Sequence, residues 1–317
     1  MSTEQEQLLI NRVLALLNRP HGFLVYGGGE GGEYLAHRIG QFSGRHRADI
    51  PTSTTVEDFL VNRTQLSYPG IYGLLSLANE TFFMQSQSEL VDFLRDRDRL
   101  TEVMVGEAES LFQGCDLPLF RIHRVNHRLF PNSHSWFFRT PELYKEYAHT
   151  LTAIKLRTSV EHVISWCDWY VGTWAVPNNF VPFYSKEAVF EYLQTLGVAS
   201  VDSVRLKLII QGLGPKPPSL ESVFTRDLAD LHREYREWLH PSYARYKKML
   251  ANAVMAAPEP RVMLDYRRSI EEPGYLASHF DIADVEGFYS GVRSWHEGNL
   301  DLLVAHGFTE FQSLRLS

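Results

Sequence analysis

The stretch Gly22-Phe23-Leu24-Val25-Tyr26-Gly27-Gly28-Gly29-Glu30-Gly31-Gly32-Glu33-Tyr34-Leu35 decides how this chain folds. Phe23 to Tyr26 is a short apolar run of β-formers, and Tyr34, Leu35 and Ile39 recur at roughly helical spacing after the glycines. The pattern predicts a strand, a tight turn and a helix start. Glycines admit positive φ and close approach, and the free N–H groups of a first helical turn, with the helix dipole, attract an anion. A hollow of phosphate size is therefore expected at Gly28, Gly29, Glu30, Gly31 and Gly32. Phosphate loops usually add a Lys or Arg and a Ser or Thr, and here Glu30 and Glu33 stand instead. Those carboxylates can occupy the hollow themselves, Glu33 as a first-turn acid favoured by the dipole. A structural turn without ligand is thus an alternative.

The same letters satisfy a dinucleotide pattern through Gly27, Gly29 and Gly32, with Asp49 as the ribose-binding candidate. That reading, an NAD-dependent oxidoreductase, needs a second apolar strand ending at the acid. Ser43-Gly44-Arg45-His46-Arg47-Ala48-Asp49 is polar and predicts none.

Working outward, four segments read as strands: Phe23 to Tyr26, Leu119 to His123, Thr152 to Leu156 and Arg261 to Leu264. Helical patterns at Ser88 to Arg95, Thr101 to Phe112, Ser159 to Trp169 and Asp227 to Met255 separate them. Strands alternating with helices imply an α/β fold with a mainly parallel sheet of four or five strands flanked by helices, its site at the strands' carboxyl ends. Pro-rich loops punctuate residues 212–218 and 258–260. Residues 171–212 read as a helical insertion or lid, so the expectation is one domain over 1–317.

With 317 residues and 44% hydrophobic content, the chain is long enough for one large core or two smaller ones. No apolar stretch approaches a bilayer span, and residues 1–18 read as an amphipathic helix (Leu8, Leu9, Val13, Leu16, Leu17) without signal architecture. Two cysteines, Cys115 and Cys167, cannot make a disulfide framework and fit a reducing compartment. A cytoplasmic protein with no membrane partner is expected. The net charge of −7 argues against a nucleic-acid partner. Against that background the local cluster of Arg121, His123, Arg124, His127 and Arg128 stands out.

The order of these features resembles the sulfotransferase family. A glycine loop follows strand one, and Arg121-Ile122-His123 on strand two looks like the family's lysine-x-histidine. Arg157 ends strand three with Ser165 eight residues later, and Tyr266 and Pro273 follow the last strand. The resemblance covers roughly residues 20 to 285 as short patches. It implies a phosphate-loop fold and 3′-phosphoadenylyl sulfate (PAPS) as co-substrate. Gly28, Gly29, Glu30, Gly31 and Gly32 would cradle the 5′ phosphosulfate, and Arg157 and Ser165 would hold the 3′-phosphate. Arg121 would steady the leaving group and His123 take the proton of a small-molecule or glycan acceptor. The chain departs from the family where the loop's cation is replaced by acid, where Arg267 and Arg268 replace an acidic pair, and where no Arg-Lys-Gly segment follows Pro273. Loss of such an electrostatic clamp commonly costs about 3 to 4 kcal/mol. The second expectation is therefore a non-catalytic module of the same fold within a larger assembly.

Other residues have plainer readings. His123 and His127 lie four apart with His134 beyond, but without a third ligand at recognisable spacing no metal is expected. Trp166, Trp169, Tyr170 and Trp174 have helical spacing and suit core packing, while the aromatic region 166–184 also suits a protein partner.

Overall fold

The strand that leads into the glycines is the middle one of a five-stranded, all-parallel sheet whose strands lie side by side in the order 46–48, 117–122, 21–25, 133–139 and 261–265. The structure is a computed structural model that describes residues 3–27, 31–48, 86–95, 100–122, 125–155, 157–170, 184–211, 219–235, 248, 251–252, 254–255, 257 and 261–316. Helix α1 (Thr3–Leu17), strand β1 (His21–Val25), α2 (Gly32–Phe42) and β2 (His46–Ala48) come first. They are followed by α3 (Gln87–Arg95), α4 (Glu102–Gly114), β3 (Leu117–Ile122), β4 (Ser133–Arg139) and α5 (Glu142–Lys155). A peripheral region holds β5 (Arg157–Ser159), α6 (Val160–Tyr170), α7 (Lys186–Leu196), β6 (Ser200–Asp202), α8 (Ser203–Gln211), α9 (Leu220–Thr225) and α10 (228–235). Strand β7 (Arg261–Asp265), α11 (Tyr266–Glu271), α12 (Ala277–Phe280) and the long α13 (Val285–Ala305) return to the sheet.

All five residues of β1 are buried, as a parallel strand covered on both faces requires. Alternation then splits its side chains between two cores. Leu24 and Tyr26 join Tyr34, Leu35 and Ile39 of α2, Tyr147 and Leu151 of α5, and Trp295 of α13. Phe23 and Val25 join Ile10 and Val13 of α1, Leu90 of α3, and Val105 and Phe112 of α4. Leu8 alone of the expected amphipathic set faces outward, at 58% exposure. A third cluster, built by Val163, Val189, Leu193, Val204 and Val223, packs the peripheral helices together.

The α/β class and the parallel sheet stand as expected, but three local expectations are corrected. Thr152 to Leu156 is no strand: through Lys155 it is the last turn of α5, whose buried Tyr144, Tyr147, Ala148, Leu151 and Ile154 repeat at helical spacing. The sheet's own strand there is β4, which opens on polar Ser133-His134-Ser135 before Trp136, Phe137 and Phe138. The polar run Ser43 to Asp49 does contain a strand, β2, whose His46 and Ala48 are buried against the sheet and Arg47 exposed. Within 171–212, α7 and α8 are helical as expected, and β6 pairs antiparallel with β5.

Helix α13 clasps α2. Arg38 donates from Nη2 to the carbonyls of Gly287 (2.5 Å) and Phe288 (3.2 Å), and the Tyr34 hydroxyl donates to Gly291 O at 2.7 Å. Gly291 is needed for this approach, because a Cβ there would lie 2.4 Å from Arg38 Nη2.

Candidate functional site at the carboxyl edge of the sheet

Parallel sheets gather their sites where strands end, and here the ends of β1, β3 and β4 meet around the start of α2. Gly31 is the N-cap of α2, in the left-handed region at φ 75°, and as a glycine it has no side chain with which to cap the helix. Helix α2 thus opens with first-turn N–H groups and the positive end of its dipole at the mouth of β1. Gly28, Gly29 and Glu30, the rest of the expected hollow, lie outside the described residues, as do His123 and Asp49.

The two described glycines are required by rings. A Cβ on Gly31 would sit 2.1 Å from the Trp295 indole, and one on Gly32 would sit 2.2 Å from the Tyr26 ring. Trp295 is fully buried and stacked on Tyr34, with centroids 4.9 Å apart and planes at 9°. Burial pushes the Tyr34 phenol up to about 12, so it stays a neutral donor to Gly291. Aromatic packing therefore fixes the backbone path from which the helix start projects.

Arg121 lies on β3 opposite Leu24 of β1, and alternation turns it toward α2. Its side chain is 1% exposed, and Nη1 stands 3.9 Å from Glu33 Oε1 in the first turn of α2, where the Glu33 side chain is 22% exposed. One of the two acids that the sequence places beside the hollow is thus directed at a buried guanidinium beneath it.

The expected partners for the 3′-phosphate stand elsewhere. Arg157 is on the peripheral ribbon, exposed, with Nε donating to Ser200 Oγ at 3.0 Å, and Ser165 is exposed on α6. Neither is on the carboxyl edge of the main sheet, because the strand assumed to carry Arg157 there is helical. The arginine that does end a central strand is Arg139, which the sequence reading passed over. Continuing the β1–β4 register beyond Val25 and Phe137 brings it level with Gly27. It is exposed, and the adjoining Thr140 has a buried Oγ1 with no hydrogen-bond partner among the described residues. Arg139-Thr140-Pro141 before a helix was the available signal, since proline there marks the end of a strand and suits a helix start. Tyr266 is fully buried against Phe138 and Tyr144, so it packs the end of β7.

These residues fit a phosphorylated nucleotide in part. A helix start and a buried cation face one end, and an exposed guanidinium with an orphaned hydroxyl beside it suits the other. The strand order weighs against the dinucleotide reading. In that fold the strand after the first helix lies beside strand one, whereas here β3 separates β2 from β1.

Three of the described histidines lie away from this edge. His21 and His46 begin β1 and β2 at the amino end of the sheet, and His127 packs under β4 with Nδ1 3.4 Å from Ser133 Oγ. Among the described residues no group of three His, Cys, Asp or Glu is placed to hold a metal ion, and no helix is long and apolar enough to cross a membrane. Of the aromatic region 166–184, residues 171–183 and the side chains of Trp166, Trp169 and Tyr170 lie outside the description. No protein-family model matches the chain, and neither a curated protein nor a solved structure matches it.

Proposed function

We propose that the chain is a sulfotransferase-like enzyme that seats PAPS at the carboxyl edge of its sheet and passes the sulfuryl group to a hydroxyl or amine of a small molecule or glycan. The observation that carries this reading is the convergence of three elements. The glycine-led start of α2 follows the central strand, buried Arg121 comes from the strand on one side, and Arg139 ends the strand on the other. In the proposed reaction the acceptor atom attacks sulfur and the bond from sulfur to the bridging phosphate oxygen breaks. Adenosine 3′,5′-bisphosphate leaves, and the acceptor's proton passes to His123. Arg121 offsets charge growing on the leaving oxygen, and Arg139 takes the 3′-phosphate role first expected of Arg157. Two half-buried free cysteines support a cytoplasmic setting.

A second reading, a non-catalytic binding module of the same fold, draws support from Glu33, whose carboxylate already faces the cation that an enzyme would reserve for the donor. Binding and transfer are tested separately. A ligand bound only by the folded state stabilises it by RT ln(1 + [L]/Kd), about 2.7 kcal/mol at a hundredfold excess over Kd, or roughly 5 °C in Tm. That rise is expected with adenosine 3′,5′-bisphosphate, lost in Arg139→Ala and kept in Arg157→Ala. An unchanged Tm at millimolar nucleotide sinks the enzyme and favours a binding or structural module that needs no nucleotide. A rise without release of the bisphosphate from PAPS, with any acceptor offered, selects the module.

A further inference from the structure

We propose that Lys207 is a carbonyl-capturing amine, a second chemical site among the peripheral helices that condenses with a small apolar aldehyde. The site belongs to α8 and is independent of the nucleotide reading.

A lysine ammonium normally stands in water, or is paired with an acid where the fold covers it. Lys207 does neither. It is half-buried, flanked along α8 by Leu208 and Ile209 of the third cluster, and its Nζ lies 5.4 Å from the centroid of the buried Tyr235 ring on α10. Acids on the same elements already have arginines. Asp202, before α8, pairs with Arg205, while on α10 Asp230 pairs with Arg233 at 2.6 Å and Glu234 with Arg226 at 2.7 Å. Among the described residues Lys207 makes no hydrogen bond or ion pair, and its polar contact is the face of the Tyr235 ring. Burial alone acts on the ammonium, with no carboxylate to offset it, and pushes its pKa below the ordinary lysine value. The ring face holds the nitrogen in place, and the apolar cluster favours its neutral form. A lysine desolvated in this way is the kind that forms Schiff bases with carbonyl compounds. The nitrogen lone pair attacks the carbonyl carbon, a proton passes from nitrogen to oxygen, and water leaves as the C=N bond forms. No oxidant or reductant is needed. Apolar walls and an aromatic ring select an apolar aldehyde over one with a carboxylate, which would have to give up its water.

The test treats the full chain with limiting benzaldehyde and sodium cyanoborohydride at neutral pH, and maps its seven lysines by mass spectrometry. The hydride serves only to fix each imine as a stable amine. Lys207 is expected to be labelled at least about threefold faster than Lys248, which is exposed, because more of it is neutral. With glyoxylate as the probe that ratio should shrink, and in the chain unfolded by urea it should approach unity. Labelling of Lys207 by benzaldehyde no faster than that of Lys248 overturns the site, and leaves a lysine that only lays its stem along the cluster. A ratio just as large with glyoxylate overturns the preference for an apolar aldehyde. A ratio that persists in urea overturns the proposal as well, since sequence neighbours rather than the fold would then set the rate.

Discussion

Replacing Trp295 with alanine is expected to remove about 3 to 5 kcal/mol of stability and to lower Tm by roughly 5 to 8 °C. The indole is fully buried, and it stacks on Tyr34 while filling the space into which a Cβ of Gly31 would project. Its loss leaves a cavity between α2 and α13. Gly31→Ala meets the same contact from the other side. It adds strain at φ 75°, about 1 to 2 kcal/mol for a residue with a Cβ, to an overlap at 2.1 Å that needs a further shift of about 1 to 3 kcal/mol. In the double variant the overlap is gone and only the strain remains, so the two losses do not add. A cycle measured by urea unfolding should show coupling of at least 1 kcal/mol. Additivity within about 0.5 kcal/mol would show that Gly31 is kept for a reason other than the indole.

The second large effect is acid sensitivity. Burial is the main cause that lowers His21, His46 and His127 from 6.5 to about 4 each, and all three are at most 8% exposed. Phe23, Phe112, Phe120 and Phe130 surround His21, while Trp136 and Phe280 press on His46, where burial outweighs the pull of the Asp281 carboxylate toward protonation. The unfolded chain takes up protons at 6.5 and the folded one only near 4, so below 6.5 the unfolded state binds more protons and stability falls as pH falls. Stability is full above 6.5 and drops by about 1.4 kcal/mol per pH unit for each histidine, roughly 6 kcal/mol in all by about pH 5. That is comparable with the whole stability of many domains. Urea midpoints that stay flat from neutral pH to about pH 5 would contradict it. Replacing His21 with glutamine should remove about a third of the slope.

Most of the scaffold could be read from residues whose period was clean. Phe23 to Tyr26 before the glycines, and Arg261 to Leu264 before Tyr266, sit in the sheet where they were expected. The errors came where local preference and burial disagree. Thr152 and Ile154 favour strands, yet Tyr147, Leu151 and Ile154 share the buried side of a helix, and packing prevails over propensity. Ser133 and Ser135 are buried in β4 with hydroxyls instead of branched chains, and His134 between them is half-buried. Because the third parallel strand was misplaced, so was the arginine at its end. The link between Glu33 and Arg121 was beyond reach for another reason. The sequence named both residues, but only the β1–β3 register turns the guanidinium toward α2.

The clasp of α13 on α2 has a consequence for how the protein is made. Tyr34 and Arg38 leave the ribosome early, whereas their acceptors at Gly287, Phe288 and Gly291 follow about 250 residues later, a gap of 257 positions for Tyr34 and Gly291. At roughly 5 to 20 residues per second, the glycine turn waits on the order of ten to fifty seconds for the indole that completes it. Nascent chains stalled before residue 285 should thus carry an unfinished carboxyl edge of the sheet with Tyr34 uncovered, a natural client for chaperones during synthesis.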